Sequence, residues 1–121
     1  MSQSLRFVVL HHTGVEEPHY DFMFETSPTS QLVTFRLPQW PVFENQRALK
    51  LRDHRRAYLD FQGDISMGRG NVQRVDEGEA QVAADFGGWT VRIENRFQLR
   101  FEPQIAGQEE NWLVVIHPSA R

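Results

Sequence analysis

The sequence predicts an all-β chain: a small antiparallel β-barrel with long loops and at most a short helical turn. Three observations carry this. Short runs of aliphatic, β-branched and aromatic residues recur at roughly 8–12-residue spacing, the rhythm of a sandwich or barrel. Gly, Pro, Asn and Asp punctuate those runs. The 3.6-residue periodicity of an amphipathic helix is weak throughout. At 121 residues and 40% hydrophobic content, the chain is read as one domain, residues 1–121, with a real core.

The elements follow in order. Leu5 to Leu10 is an aliphatic run and the first strand. Tyr20 to Glu25 alternates, with Tyr20, Phe22 and Phe24 on one face and His19, Asp21, Met23 and Glu25 on the other. Leu32 to Leu37 is a strand stopped by Pro38 and Pro41. Glu44 to Arg52 admits one helical turn or a strand, and the alternation of Leu49 and Leu51 favours the strand. Ala57 to Phe61 is expected as a strand ended by Gly63. Gly68-Arg69-Gly70 marks a turn or a close backbone approach. Asn71 to Val75 and Gly78 to Phe86 are expected to pair across an Asp76-Glu77-Gly78 turn. Trp89 to Ile93 and the Phe97, Leu99, Phe101 run alternate cleanly around a Glu94-Asn95-Arg96 hairpin turn, with one long strand as the alternative. Gln104 to Glu110 is a polar loop, and Trp112 to Ile116 is the last strand. Met1 to Ser4 and Pro118 to Arg121 are expected to fray. Trp40, Trp89 and Trp112 are read as core or barrel-end packing.

The net charge of −3 and pI near 5.9 argue against a generic nucleic-acid coat, which needs a strongly basic surface. Of the 13 basic residues all but Lys50 are Arg, which fits bidentate phosphate contacts but equally a GC-rich coding sequence. Without cysteine there is neither disulfide nor thiolate site, which fits a reducing compartment. The start lacks a signal peptide and no stretch is long and apolar enough to span a bilayer, so a cytoplasmic location is expected.

Four of the five histidines fall in two short segments, His11 to His19 and Asp53-His54. Imidazole and carboxylate hold borderline divalent metals, and His19 and Asp21 share a strand face. With His12 at the end of the neighbouring strand, the three converge if those strands pair. Such a site suits Mn²⁺ or Zn²⁺ in Lewis-acid chemistry on a phosphoryl group. His11 faces away from His12 and is not expected to join. The bland alternative is a set of strand-end surface histidines. In an extended chain His54, Arg56 and Tyr58 also share a face, where they could bind a phosphate and protonate a leaving oxygen; the alternative is a solvated basic loop. Arg69, with the flanking glycines, could meet an anion. Arg36 either lines the site or is simply exposed, and Glu25 is a candidate partner to the metal ligands.

These residues resemble a known family. Phe7-Val8-Val9, His12, His19-Tyr20-Asp21-Phe22 and Glu25 resemble the opening motif of the 3′-phosphoesterase domain of bacterial DNA ligase D, approximately F-V-V-x-x-H, a spacer, then H-Y-D-F-x-x-E. Phe35-Arg36-Leu37-Pro38-Gln39-Trp40-Pro41 is similar to its W-A-V-P-K-G-P. Asp53-His54, Tyr58, Asp60-Phe61 and Gly63 resemble its D-H-P-x-x-Y-x-x-F-E-G. Gly70-x-Val72 with Asp76-x-Gly78, and the closing Asn111-Trp112-Leu113-Val114-Val115, are similar to later motifs. The resemblance implies a β-barrel that holds Mn²⁺ and trims 3′ ends in end-joining DNA repair, removing a terminal ribonucleoside and a 3′-phosphate. It implies His12, His19 and Asp21 as metal ligands, His54 on the phosphate and Tyr58 as a further active-site residue. Nucleic-acid 3′ ends, and a separate ligase or polymerase, are the implied partners.

The chain departs from the pattern. The first spacer is one residue longer. Met23 stands where the family has Arg, Gln39 where it has Lys and Arg52 where it has Glu. The family's N-terminal arm is missing, so the chain resembles a free-standing minimal relative. Arg36, Arg56 or Arg69 are the candidates to replace the lost cation. Two other readings stay open: a degenerate end-binding module that has lost catalysis, and a two-His-one-carboxylate iron oxygenase built on His19, Asp21 and His54.

Overall fold

The computed structural model describes residues 4–104 and 111–118. Nine strands form one antiparallel sheet that closes in an uneven ring. They are β1 (Leu5–Thr13), β2 (His19–Glu25), β3 (Leu32–Leu37), β4 (Gln46–His54), β5 (Gly63–Asp64), β6 (Asn71–Asp85), β7 (Gly88–Ile93), β8 (Phe97–Pro103) and β9 (Asn111–Pro118). The order is β1-β2-β3-β4-β9-β8-β7-β6-β5, and β1 also pairs with β6 to close the ring. Among the described residues no helix is long and apolar enough to cross a membrane.

The interior is aromatic. Phe7, Phe22, Phe24, Phe35 and Phe101 are fully buried together, with the Phe35 and Phe101 rings stacked at 4.2 Å. Trp40, Trp89 and Trp112 pack against this core, as their composition suggested. A second, smaller core lies on the other face of β1, β2 and β3, where Val8, Leu10, Met23 and Leu32 meet Leu59 and Val72. Residues 55–70 thus form a strap over the outside of the barrel. That is why the first strands read as nearly continuous apolar runs: both of their faces are covered.

The all-β prediction holds, and two local readings are corrected. The expected strand from Ala57 to Phe61 is a one-turn 3₁₀-helix, Arg56–Leu59. Its i→i+3 bonds run from the Tyr58 N–H to Arg55 O and from the Asp60 N–H to Ala57 O. The turn sends Arg56 back to the barrel and Leu59 into the second core, so the shared extended face of His54, Arg56 and Tyr58 does not form. The expected Asp76-Glu77-Gly78 turn is strand: β6 runs unbroken from Asn71 to Asp85 and is shared by β1 and β7. A β-bulge against Val9/Leu10 bends it instead. Gly78 makes room rather than turning, since a Cβ there would lie 3.2 Å from the Phe7 ring. The hairpin comes at Phe86-Gly87, both at positive φ (49° and 77°), the geometry of a two-residue primed turn. Glu94-Asn95-Arg96 is a turn as expected, with Asn95 at φ 65°. Residues 105–110 of the expected polar loop lie outside the described residues, as do 1–3 and 119–121.

Asp76 on β6 is tied to the segment after β3 and to the β7–β8 turn. Asp76 accepts hydrogen bonds from Trp40 Nε1 (3.0 Å) and from both terminal nitrogens of Arg96 (3.0 and 2.8 Å). Burial alone would raise its carboxyl; the Arg96 and Trp40 bonds outweigh that and hold it below the ordinary value of 3.8.

Candidate metal centre

His12, His19 and Asp21 come together on the outer face of the barrel. The β1–β2 register sets His12 directly opposite His19, and two-residue alternation puts Asp21 on the same face. Each offers one ligand atom, and the three atoms lie within 4.8 Å of one another. His19 and Asp21 are only 7% and 5% exposed. His11, on the opposite face, stacks on Tyr20 at 4.3 Å.

Backbone carbonyls fix both imidazoles. His12 Nε2 lies 2.8 Å from Arg69 O, and His19 Nδ1 lies 2.8 Å from Glu17 O. A carbonyl only accepts, so each of these nitrogens carries the proton. In the neutral rings the remaining nitrogens, His12 Nδ1 and His19 Nε2, then bear lone pairs. They face each other at 3.1 Å, with Asp21 Oδ2 3.6 Å from His19 Nε2. Two lone pairs and a carboxylate at these separations repel, and a proton or a metal cation among them relieves this. Ligands on one ion, with bonds of about 2.0–2.2 Å, stand roughly 3.0–3.6 Å apart. The two short edges meet that range, and the longest needs to contract by about 1 Å. Imidazoles whose second nitrogen donates to a carbonyl are the usual form of metal-bound histidine.

Arg36, on β3, stands opposite Asp21, with Nε 3.5 Å from Asp21 Oδ1. Both atoms are buried without a hydrogen bond of good geometry. Beside the centre a cleft of about 470 Å³ opens between His19, Arg36 and Arg47.

The other predicted residues lie elsewhere. His54 is paired with Leu32, four positions along β3 from Arg36, or about 13 Å at ~3.3 Å per residue. Its Nδ1 bonds Arg52 O at 2.9 Å and its ring meets Tyr58 edge-on. Tyr58 lines a separate cleft of about 270 Å³ with Phe61, Ile65 and Arg69. Arg56 is committed to structure: it donates to Glu25 Oε2 (2.6 Å) and Ser30 O (2.8 Å), while Glu25 also accepts the Arg6 N–H. Glu25 therefore clamps the strap and is no partner to the ligands. The Arg69 guanidinium turns to Ser66, and its contribution to the centre is the backbone oxygen.

Three groups at the site were not expected from the sequence. Arg47 is not among the site residues expected from the sequence; its position beside inward-facing Ala48 on β4 is the signal that puts it on the site's face. The carbonyls of Glu17 and Arg69 leave no side-chain signal at all. The fold and this cluster together define a small closed β-barrel with a candidate metal centre on its outer face. No protein-family model and no characterised protein sequence matches the chain.

Proposed function

We propose that the protein is a divalent-metal-dependent phosphoesterase that processes nucleic-acid 3′ ends, removing a 3′-phosphate or a 3′-ribonucleotide in DNA repair. The observation that carries this is the pair of imidazole nitrogens facing each other at 3.1 Å, next to a carboxylate and an arginine. His12, His19 and Asp21 would hold the ion, with Mn²⁺ the first choice and Zn²⁺ the second. When bound, the ion supplies Lewis acidity toward a phosphoryl oxygen. The chain's own residues do the rest. Arg69 O and Glu17 O hold the rings in the ligating tautomer. Arg36 offers positive charge where negative charge would build up on phosphate oxygens. The likeness of the His12, His19-Tyr20-Asp21 and Asp53-His54 segments to ligase D phosphoesterase motifs supports nucleic-acid 3′ ends as substrate, with a separate ligase or polymerase acting next. His54 and Tyr58 stand outside the centre, and the reading assigns them no chemistry there.

A second reading has its own support. Met23, at the position where the family carries Arg, is buried in the second core, which leaves Arg36 and Arg47 as the cations beside the centre. The protein would then bind 3′ ends without turning them over. Primer-templates ending in a 3′-phosphate or a 3′-ribonucleotide, incubated with Mn²⁺, separate the two. Trimming by the wild type that His19→Ala abolishes supports the phosphoesterase. Mn²⁺-dependent end binding without trimming supports the binding module. Neither activity removes both readings.

A further inference from the structure

Asp21 is a buried carboxylate with a polar neighbour on each oxygen. Oδ2 lies 3.6 Å from His19 Nε2, and Oδ1 lies 3.5 Å from Arg36 Nε. Oδ1 and Nε are both buried, and neither has a hydrogen-bond partner. A charge-assisted N–H···O bond closes at about 2.7–2.9 Å, so this contact stops roughly 0.6 Å short. Leaving a buried carboxylate oxygen unbonded is costly, and a native structure that does so needs a reason.

The strand register decides what can meet Asp21. Opposite it stand Leu10 on β1 and Arg36 on β3. Leu10 is buried in the second core, so Arg36 is the one cross-strand donor that Asp21 has. Arg36 in turn makes a single ion pair among the described residues, the one to Asp21. As a bare charge it is a handicap here, because a guanidinium next to a ligand carboxylate repels an incoming cation. Its use is directional. A carboxylate that gives one oxygen to an ion leaves the other in need of a donor, and ligand carboxylates in metal centres are themselves hydrogen-bonded.

We infer that Arg36 is a positioning residue for the metal centre: its Nε–H holds Asp21 Oδ1, which leaves Oδ2, on the side of His19, as the one oxygen that Asp21 gives to the ion. This rests on the metal centre of the proposed function and adds a denticity to it. His12, His19 and Asp21 supply one atom each, and Arg36 does not touch the ion.

Titration of the full chain with Co²⁺ tests it, read by calorimetry and by the visible absorption of the bound ion. Co²⁺ lies between Mn²⁺ and Zn²⁺ in ligand preference, and its colour reports its coordination. Two variants of matching length separate the donor from the charge. Arg36→Met puts a methyl carbon at the bond position of Nε; Arg36→Gln puts an amide N–H donor there without the charge. Arg36→Met should bind Co²⁺ about 10–100-fold more weakly and alter its spectrum. Arg36→Gln should keep the wild-type spectrum and most of the affinity. In an Asp21→Asn background, Arg36→Met should weaken binding no further, since the two residues act as one unit. Binding by Arg36→Met as tight as the wild type's or tighter, which charge alone predicts, overturns the inference. So does an unchanged Arg36→Met spectrum, or a full further loss in the Asp21→Asn background. Thermal melts establish that the variants fold. Should Arg36→Met not fold, Arg36→Gln decides: a wild-type spectrum supports the inference and an altered one overturns it. His19→Ala keeps the two levels apart. A wild type that takes up no Co²⁺, or a His19→Ala protein that takes it up unchanged, removes the metal centre and this inference with it. Uptake that needs His19 but is indifferent to Arg36 removes the inference alone.

Discussion

A methyl group on Gly70 should damage both the fold and the metal centre. Gly70 has φ +95°, and a Cβ there would lie 2.5 Å from Thr13 O, 2.9 Å from His12 Nε2 and 3.0 Å from Val15 Cγ1. An L-residue at positive φ costs about 1–2 kcal/mol. Relieving the overlap costs roughly 1–3 kcal/mol more, because the nearest atom is backbone. If the loop moves away, the hydrogen bond from His12 to Arg69 O goes with it, about 1 kcal/mol. Gly70→Ala should therefore lose roughly 3–6 kcal/mol and lower the Tm by about 10–30 °C. With its tautomer no longer fixed, His12 should bind metal about 10–100-fold more weakly. Gly68→Ala is the control. Its φ is +65°, but nothing lies within 4 Å of the added carbon, so it should lose only about 1–2 kcal/mol and keep its metal affinity. Scanning calorimetry and a Zn²⁺ titration on both variants read the difference. A Gly70→Ala protein no worse than Gly68→Ala would refute the claim that this loop carbonyl orders the histidine.

Other outcomes follow from the same geometry. Arg56→Ala leaves the buried Glu25 carboxylate with one partner fewer; discounted for the partial exposure of the Arg56 side chain, it should cost about 1–3 kcal/mol in denaturant unfolding. An unchanged midpoint would mean that the clamp is idle. Asp76 is held below its ordinary pKa, so its contribution to stability is complete above about 3.8 and is lost as pH falls through the lower folded value. Asp76→Asn should flatten the acid limb of a stability–pH curve below about pH 3.8, and parallel curves would contradict the Arg96–Trp40 account. His19→Ala should abolish specific Mn²⁺ or Zn²⁺ binding, while His11→Ala, on the opposite face, should leave it unchanged.

Which features were legible depends on how locally each was encoded. His19 and Asp21 share a face by strand alternation alone, and a five-residue connection between β1 and β2 puts His12 opposite them. The Leu32–Leu37 strand could be bounded because prolines follow it. The strap resisted reading because Tyr58, Leu59 and Phe61 carry enough apolar character to imitate a strand, and the choice of a 3₁₀-turn was made by Leu59 finding the second core. Asp76-Glu77-Gly78 has turn composition, but its glycine answers to a phenylalanine ring more than 70 residues away in sequence, and its aspartate to Trp40 and Arg96. Glu25 looked like part of the metal cluster because it shares Asp21's face. Its partner Arg56 lies 31 residues further on, beyond the reach of any local pattern.

The β1–β6 seam joins residues as far apart as Leu5 and Ala80, so with the β4–β9 seam it is one of the two long-range closures of the ring, the kind that forms late. The three ligands sit on a hairpin that can form early, but the oxygen that orients His12 arrives on the loop just before β6. A cation should therefore act as a fastener on that seam. Amide protons along its inner hydrogen bonds should exchange with deuterium more slowly once the ion is bound.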